Sequence, residues 1–323
     1  MSEWIRVFAP ATVANVGPGF DILGLAISRP GDIVEVRKSE KQGVRISGIH
    51  FTRKHDIGKL PVSADKNTAG VAATQVLQTL QQRGLVDHDA GVELKLRKNM
   101  PLGSGLGSSG ASAVAAAWAV NVLFGSALRR DDPDLILACI KAEATLSGFH
   151  ADNVAPAMLG GFVLIRSYDP LDIVPLEAPE KVICVIVNPR YKLSTRRARA
   201  ALPKQVAFNK VVIPHYANVA GVIAGILKKD LELLGRAIDD KIVEPARAHL
   251  IPGFYDVKRT ALESGALGCS ISGAGPSMFA ITDDIAKGHE IGEAMSKTFS
   301  AHGLTHSNVY VSRINREGVK QID

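Results

Sequence analysis

This sequence of 323 residues has few cysteines, few aromatic residues and only a small excess of positive charge. The three cysteines, Cys139, Cys184 and Cys269, lie far apart and form no CxxC pair, which predicts buried free thiols rather than disulfides or zinc ligands. Aromatic residues make up 5% of the chain, and the net charge of +6 is spread along it. A nucleic-acid groove needs clustered basic residues interleaved with stacking rings, so we expect no nucleic-acid partner.

Targeting and membrane signals are also missing. The start, MSEWIRVFAP, carries an acid at Glu3 and continues into a predicted strand, which is unlike a signal or transit peptide. No uninterrupted apolar run approaches about 18 residues, the length of a membrane span. We therefore expect a cytoplasmic protein with no membrane partner.

The length predicts two domains, or one domain with a large second lobe, and the 46% hydrophobic content is enough to bury a core. Alternating segments such as GVELKLRK (91–98) predict strands in the first half, with helices expected at 67–84, 111–124 and 133–146. Strand-like GGFVLIRSY and KVICVIVNP begin the second half, and a helical pattern follows over 216–250. We predict an α+β protein with domains at residues 1–160 and 161–323.

The stretch PLGSGLGSSG (101–110) precedes the predicted helix at 111–124. Its glycines let backbone N–H groups approach a ligand, and the unpaired N–H groups of the helix start add to them at the positive end of the helix dipole. Such a segment is typical of a phosphate site, although an ordinary glycine-rich loop between strand and helix is the alternative.

Three better-known nucleotide folds do not fit this stretch. Gly105, Gly107 and Gly110 match GxGxxG, but a second helix follows where a dinucleotide fold needs a strand ending in an acid. No GKS or GKT follows the glycines, which excludes a P-loop. No HRD element with a downstream asparagine is present, which argues against a protein kinase.

PLGSGLGSSGASA instead resembles the phosphate loop of the GHMP small-molecule kinases. APATVANVGPGFD (9–21) resembles the first motif of that family and GCSISGAGPSMFA (268–280) the third, in the expected order and across almost the whole chain. The resemblance implies a two-domain GHMP kinase fold, in which the N-terminal domain is of the ribosomal protein S5 domain 2-like type and the C-terminal domain is ferredoxin-like. It also implies ATP and Mg²⁺.

Within the family, ANVGPGFD is most similar to the members that phosphorylate L-homoserine. GFHADNVAPAMLGG (148–161), STRRAR (194–199) and IVEPAR (242–247) point the same way. This similarity implies phosphorylation of the homoserine side-chain hydroxyl in threonine biosynthesis, by a homodimer. Gly110 departs from the alanine frequent in the family, which predicts a slightly looser first turn of the helix. Another family kinase, acting on mevalonate, galactose or shikimate, and a nucleotide-binding protein without catalysis are the alternatives.

The resemblance also implies the site residues. Catalytic roles fall on Glu143, Ser109 and Arg196, and Ser109 and Glu143 are the implied Mg²⁺ ligands. The implied ATP contacts are Pro101, Leu102, Gly103, Ser104, Gly105, Leu106, Gly107, Ser108, Ser109, Gly110, Ala111 and Asn67. The implied homoserine contacts are Asn15, Asp21, His150, Asn153, Arg196 and Arg247, with Asp21 facing the ammonium and the arginines the carboxylate.

Each of these residue types has a structural interpretation as well. Glu143 fits a solvated helical position, and Ser109 and Asn67 fit helix caps. Asn15 and Asp21 flank a glycine-proline turn, and His150 fits a structural histidine. Arg197 competes with Arg196 for the carboxylate. Related kinases use an aspartate as general base, but the resemblance implies that transition-state stabilisation with direct attack suffices here, with His150 as the only candidate base.

Overall fold

The computed structural model describes residues 3–146 and 148–323. The strands are β1 (Ile5–Ala14), β2 (Leu23–Ser39), β3 (Gly43–Phe51), β4 (Gly91–Lys98), β5 (Phe162–Tyr168), β6 (Leu171–Leu176), β7 (Ile183–Pro189), β8 (Gly268–Ile271), β9 (Met278–Thr282), β10 (Ser307–Arg313) and β11 (Lys320–Ile322). The helices are α1 (Thr68–Gln82), α2 (Ser108–Leu123), α3 (Pro133–Ala144), α4 (Val154–Leu159), α5 (Thr195–Ala200), α6 (Ile213–Lys228), α7 (Leu231–Ala237), α8 (Val243–Arg247), α9 (Phe254–Glu263) and α10 (Ile285–Ala301).

A mixed sheet organises the N-terminal part. Its order is β11-β1-β2-β4-β3, with β5 paired to β2 and β6 paired to β5. β3 and β4 are parallel, whereas β2 and β4 are antiparallel with Val36 opposite Leu94. The predicted apolar face of β4 is buried, and so are Glu93 and Lys98, because each is paired with opposite charge.

α2 is the central helix of this part. It packs against β1 and β2 on one side and against α1 and α3 on another. Twelve of its sixteen residues are buried, so its alanines reflect close packing as well as helix propensity. The cap predicted at Asn67 is confirmed, since its Oδ1 accepts from Ala69 N–H at 3.1 Å. Asp132 caps α3 in the same way and accepts from Asp134 N–H at 2.9 Å.

The second sheet is antiparallel, with the order β10-β7-β9-β8. Numbered within this part of the chain the order is 4-1-3-2, and helical segments follow its first and third strands, which is the ferredoxin-like arrangement. Sheet membership divides the chain differently from residues 1–160 and 161–323, because β5, β6 and the C-terminal β11 belong to the first sheet. The domain limits themselves stay a prediction.

The helical pattern predicted over 216–250 is interrupted. α6, α7 and α8 replace one long helix, and α6 continues a π-helical turn at Phe208–Val212. By length and composition alone, Phe208–Lys228 would suffice for a membrane span, and 22% of its most apolar window is buried. Hydrogen bonding ties it to the second part of the chain, since Asn218 Nδ2 donates to the Asp239 carbonyl at 2.7 Å.

Candidate active site

A cavity of about 420 Å³ lies where the three sequence motifs meet, a volume suited to a small-molecule site. Its walls include most of the predicted site residues: Asn15, Asp21, Asn67, Leu102, Gly103, Ser104, Gly105, Gly107, Ser108, Ser109, Glu143, His150, Asn153 and Arg247. Ala274 and Gly275, from the third motif, also line it. The fold therefore gathers segments more than 250 residues apart around one space.

The glycine-rich segment bends sharply into α2. Gly103, Gly105 and Gly107 have positive φ angles of 61°, 79° and 67°. A Cβ at Gly107 would lie 2.0 Å from Thr12 Oγ1, whereas one at Gly103 would meet nothing within 4 Å. Gly103 thus leaves open space beside the backbone, and Gly107 permits a close approach between loop and strand.

Four members of the predicted phosphate segment lie behind this surface. Pro101, Leu106, Gly110 and Ala111 are buried and do not line the cavity, and their assignment as ATP contacts stays a prediction. Leu106 and Ala111 belong to the hydrophobic core. A Cβ at Gly110 would lie 3.3 Å from Asn153 Cβ, so glycine here relieves a tight contact with the neighbouring wall.

A buried polar cluster supports the loop from below. The Lys98 ammonium is ion-paired with Asp32 and also donates to the Ser108 carbonyl at 2.9 Å and to Ser112 Oγ at 2.5 Å. Asp32 in turn accepts from Ser108 Oγ at 3.0 Å. These groups are almost fully buried, so their mutual bonds compensate their loss of hydration and fix the first turn of α2.

Ser109 and Glu143 meet at the cavity wall. Ser109 Oγ donates to Glu143 Oε2 at 3.0 Å, although Glu143 lies on α3. The solvated interpretation of Glu143 is wrong, since only 3% of the residue is exposed. No group of three or more metal-ligating side chains occurs among residues 3–146 and 148–323. A hydroxyl and a carboxylate nevertheless fit Mg²⁺, which prefers hard oxygen ligands and takes others from phosphates and water.

The third motif reaches across to both other motifs. Ser272 Oγ donates to the Gly105 carbonyl at 2.7 Å. The Gly273 carbonyl accepts from Asn15 Nδ2 at 2.9 Å and from Arg247 Nη1 at 3.1 Å. This turn therefore orients a phosphate-loop peptide and two predicted homoserine contacts together.

Arg199, rather than Arg196, occupies the cavity. Arg199 Nη2 donates to Asp21 Oδ1 at 2.9 Å and to Oδ2 at 3.0 Å. Arg196 and Arg197 are exposed and do not line the cavity, and the catalytic and substrate-binding assignment of Arg196 stays a prediction. Helical periodicity in α5 accounts for the position of Arg199, because Thr195 lines the cavity and the residue one turn later shares its face.

Phe20 lies within cation–π distance of two arginines. Its ring centre is 5.3 Å from the Arg199 guanidinium carbon and 5.1 Å from that of Arg247. A ring face attracts a cation that is partly removed from water, so Phe20 holds the two guanidinium groups near each other despite their like charge.

The charges of this region perturb one another. Burial is the main cause that raises the pKa of Asp21 above its ordinary value, followed by the negative charge of Asp152, while Arg199 opposes the shift. Burial, and then Arg199, lower the pKa of Arg247. The surroundings thus disfavour the charged forms of Asp21 and Arg247, and a ligand of opposite charge would stabilise each of them.

The segment around His150 forms the adjoining wall. His150 Nδ1 lies 3.2 Å from Asp152 Oδ1, and Asn153 Oδ1 accepts from Thr12 Oγ1 at 2.7 Å. At the start of α1, Asn67 lines the cavity while capping the helix, and its Nδ2 donates to the Pro61 carbonyl at 2.9 Å. Its capping role and its place on the wall therefore coexist.

Three residues of the site were not identified from the sequence. Arg199 could have been found from its spacing of four residues after Thr195 in a helix. Lys98 ends β4 shortly before the glycine-rich segment and is in phase with Leu94 and Leu96, so the alternation itself placed it on the buried face. Phe20 gave no signal beyond its place between Gly19 and Asp21 in the first motif.

Comparison with known proteins agrees with this geometry. The model of the GHMP kinases N terminal domain matches residues 68–161, and that of the GHMP kinases C terminal domain matches residues 222–301. Homoserine kinase of Chloroherpeton thalassium is 43% identical over 96% of this chain and 97% of its own length. Homoserine kinase of Arabidopsis thaliana is 45% identical over 99% of this chain and 85% of its own.

A solved structure gives the same result. The crystal structure of homoserine kinase from Cytophaga hutchinsonii is 48% identical, has a TM-score of 0.91 and covers 100% of this chain and 98% of that one. Identity at this level over the full length, together with matches to both domain models, confirms the two-domain GHMP kinase fold. The chain belongs to the homoserine kinase family of GHMP kinases.

Proposed function

We propose that this chain transfers the γ-phosphoryl group of ATP to the side-chain hydroxyl of L-homoserine and that the cavity is its active site. One observation carries the proposal: Asp21, Arg199 and Arg247 place one negative and two positive groups in the same cavity as the glycine-rich loop. Among the candidate alcohols, a hydroxyl-bearing α-amino acid has charges that match this set. Its ammonium can pair with the Asp21 carboxylate, and its carboxylate can pair with the two guanidinium groups.

In the substrate half of the cavity, which is formed around Asp21, Arg199 and Arg247, homoserine binding would exchange one ion pair for two others. Asp21 and Arg199 neutralise each other across the cavity, and the zwitterion of homoserine offers each group a new partner. Arg247 is held by the carbonyls of Ala198 and Gly273, each at 3.1 Å, so it enters the exchange already oriented. Preorganisation of this kind reduces the ordering cost of binding.

The nucleotide half supplies backbone donors and oxygen ligands. We assign the ATP phosphates to the loop from Gly103 to Ser109, at the start of α2, where N–H groups and the helix dipole favour anions. Ser109 and Glu143 would hold Mg²⁺, which supplies charge neutralisation on the phosphate oxygens when bound. Lys98 contributes by fixing the Ser108 carbonyl beneath that turn.

Positioning and charge account for most of phosphoryl-transfer catalysis, because the transition state is loose and its charge is spread over the transferring oxygens. In this scheme Asp21 and the two arginines hold the amino-acid end of the substrate, Asn15 and Asn153 adjoin them, and the hydroxyl is left to face the phosphate loop. We assign no general base to the hydroxyl proton. His150, beside Asp152, is the candidate on the wall.

The alternative acceptors lack part of this charge set. Galactose carries neither an ammonium nor a carboxylate, and mevalonate and shikimate have no ammonium to meet Asp21. A coupled assay of ADP release with homoserine, mevalonate, galactose and shikimate tests the assignment. Homoserine alone should give rapid turnover with Mg·ATP, and turnover with another alcohol but not with homoserine would overturn it.

A homodimer, implied by the family resemblance, and a cytoplasmic location, expected from the sequence, remain predictions. Light scattering on the eluted protein would test the first, with twice the chain mass of 34.3 kDa expected. Fractionation of source cells would test the second.

A further inference from the structure

The hydroxyl of Tyr168, at the end of β5, links two loops of the substrate half without lining the cavity. It donates to the carbonyl of Asp21 at 2.7 Å and accepts from the N–H of Ala151 at 3.0 Å. Its proton and one lone pair are both used. The residue therefore joins the loop that carries Asp21 to the segment that carries His150 and Asn153.

The loop that contains Asp21 needs such support. Asn15, Val16 and Asp21 all have positive φ, with values of 73°, 44° and 59°. Residues with a Cβ rarely adopt this conformation and keep it only where the surroundings impose it. The N–H of Asp21 donates to Asn15 Oδ1 at 3.1 Å, so its carbonyl bond to Tyr168 is the second restraint on the same peptide backbone.

Tyr168 is itself well anchored. Its backbone pairs with Leu171 of β6, and its ring contacts that of Phe149 with centres 6.1 Å apart. Burial raises the pKa of its phenol above the ordinary value, so the hydroxyl keeps its proton across the physiological range. A persistent donor at the end of a strand paired on both sides can hold the backbone of a strained loop in place.

We propose that Tyr168 is a positioning residue for the amino-acid substrate: its hydroxyl sets the direction of the Asp21 carboxylate by holding the Asp21 backbone against the segment of Ala151. The inference rests on the proposed role of Asp21 as the partner of the homoserine ammonium. In this role Tyr168 increases the affinity for the ammonium end of the substrate and contributes neither to ATP binding nor to the stability of the whole fold.

The test is Tyr168→Phe, which removes the hydroxyl and keeps the ring, with Tyr310→Phe as a matched control. Tyr310 is also largely buried and has a hydroxyl near Arg53 in a different part of the molecule. Tyr168→Phe should raise the KM for homoserine about ten-fold, as expected for loss of one restraint on a charged contact, with KM for ATP and the melting temperature close to those of Tyr310→Phe.

A substrate analogue separates positioning from a general loss of structure. 4-Hydroxybutyrate has the hydroxyl and carboxylate of homoserine but no ammonium. Its inhibition constant against homoserine should be the same in wild type and Tyr168→Phe. An unchanged homoserine KM, or an equal loss for homoserine, ATP and the analogue, would overturn the inference.

Two further measurements distinguish a failure of this inference from a failure of the proposed function. If the wild type turns over homoserine and Tyr168→Phe matches it, only this inference fails; if the wild type does not turn over homoserine, the proposed function fails and the inference with it. In the wild type, homoserine should slow amide exchange in residues 15–21 and 148–153 together. Protection of only one of these segments would contradict the link through Tyr168.

Discussion

Arg199 and Asp21 bind each other through two hydrogen bonds of 2.9 and 3.0 Å, although they are 178 residues apart. The pair spans the part of the cavity that we assign to homoserine. Because both groups are only partly exposed, each has lost part of its hydration, and a ligand must replace the pair with contacts at least as good. This requirement favours a substrate with both charges over one with either alone.

Arg199→Leu should raise the KM for homoserine about 30-fold and leave the KM for ATP nearly unchanged, since loss of a charge-assisted pair costs about 2 kcal/mol. Arg247→Leu should have a similar effect. Arg196→Leu is the matched comparison, because that side chain is exposed outside the cavity. Steady-state kinetics with each substrate varied in turn gives the answer. A large effect of Arg196→Leu with none of Arg199→Leu would support the assignment drawn from sequence.

Glu143→Ala should reduce kcat by about 100-fold or more, with Ser109→Ala less severe, because a lost ligand weakens charge neutralisation in the transition state. Raising the Mg²⁺ concentration should recover part of the activity. Glu290→Ala, on the exposed face of α10, is the control for loss of a helical glutamate. A Glu143→Ala enzyme with the wild-type rate and Mg²⁺ dependence would exclude the carboxylate from the metal site.

The pH dependence of homoserine use should reflect the raised pKa of Asp21. Burial favours its neutral form, so the carboxylate gains its proton at a higher pH than an ordinary aspartate does, and affinity for the ammonium then falls. The acid limb of kcat/KM for homoserine should therefore lie above the usual aspartate range, whereas the limb of kcat should lie lower because bound ammonium favours the carboxylate. Persistence of the same limb in Asp21→Asn would assign it to another group.

Two glycines of the phosphate loop should respond differently to alanine. Gly107→Ala brings Cβ to 2.0 Å from Thr12 Oγ1 in addition to its unfavourable φ, so the free energy of unfolding should fall by about 2 to 5 kcal/mol. Gly103→Ala has unfavourable φ alone and should cost about 1 to 2 kcal/mol.

Urea unfolding and the KM for ATP together measure these effects. Gly125→Ala, with φ of 94° and open space around its Cβ, is the control for strain away from the loop. Equal destabilisation by Gly107→Ala and Gly125→Ala would mean that the close approach to Thr12 is unimportant.

Local elements were largely determined by the sequence. Asn67 and Asp132 cap helices because their short oxygens reach N–H groups two residues on, and the glycines at 103, 105 and 107 adopt the positive φ that their lack of a Cβ permits. The motifs also indicated the family, which the comparisons confirmed.

Only the tertiary structure decided which charges meet. Glu143 fitted a solvated helical position in sequence, yet it is buried where Ser109 supplies its partner. Lys98 is likewise buried, and its partner Asp32 lies on a different strand. The orientation of the six-residue helix α5 directs Arg199, and not Arg196, into the cavity. Strand pairing places Tyr168 where its hydroxyl bonds to two segments that are distant in sequence. Sequence determines local backbone preference because neighbours act over a few residues, whereas burial and ion pairing depend on segments that meet only after folding.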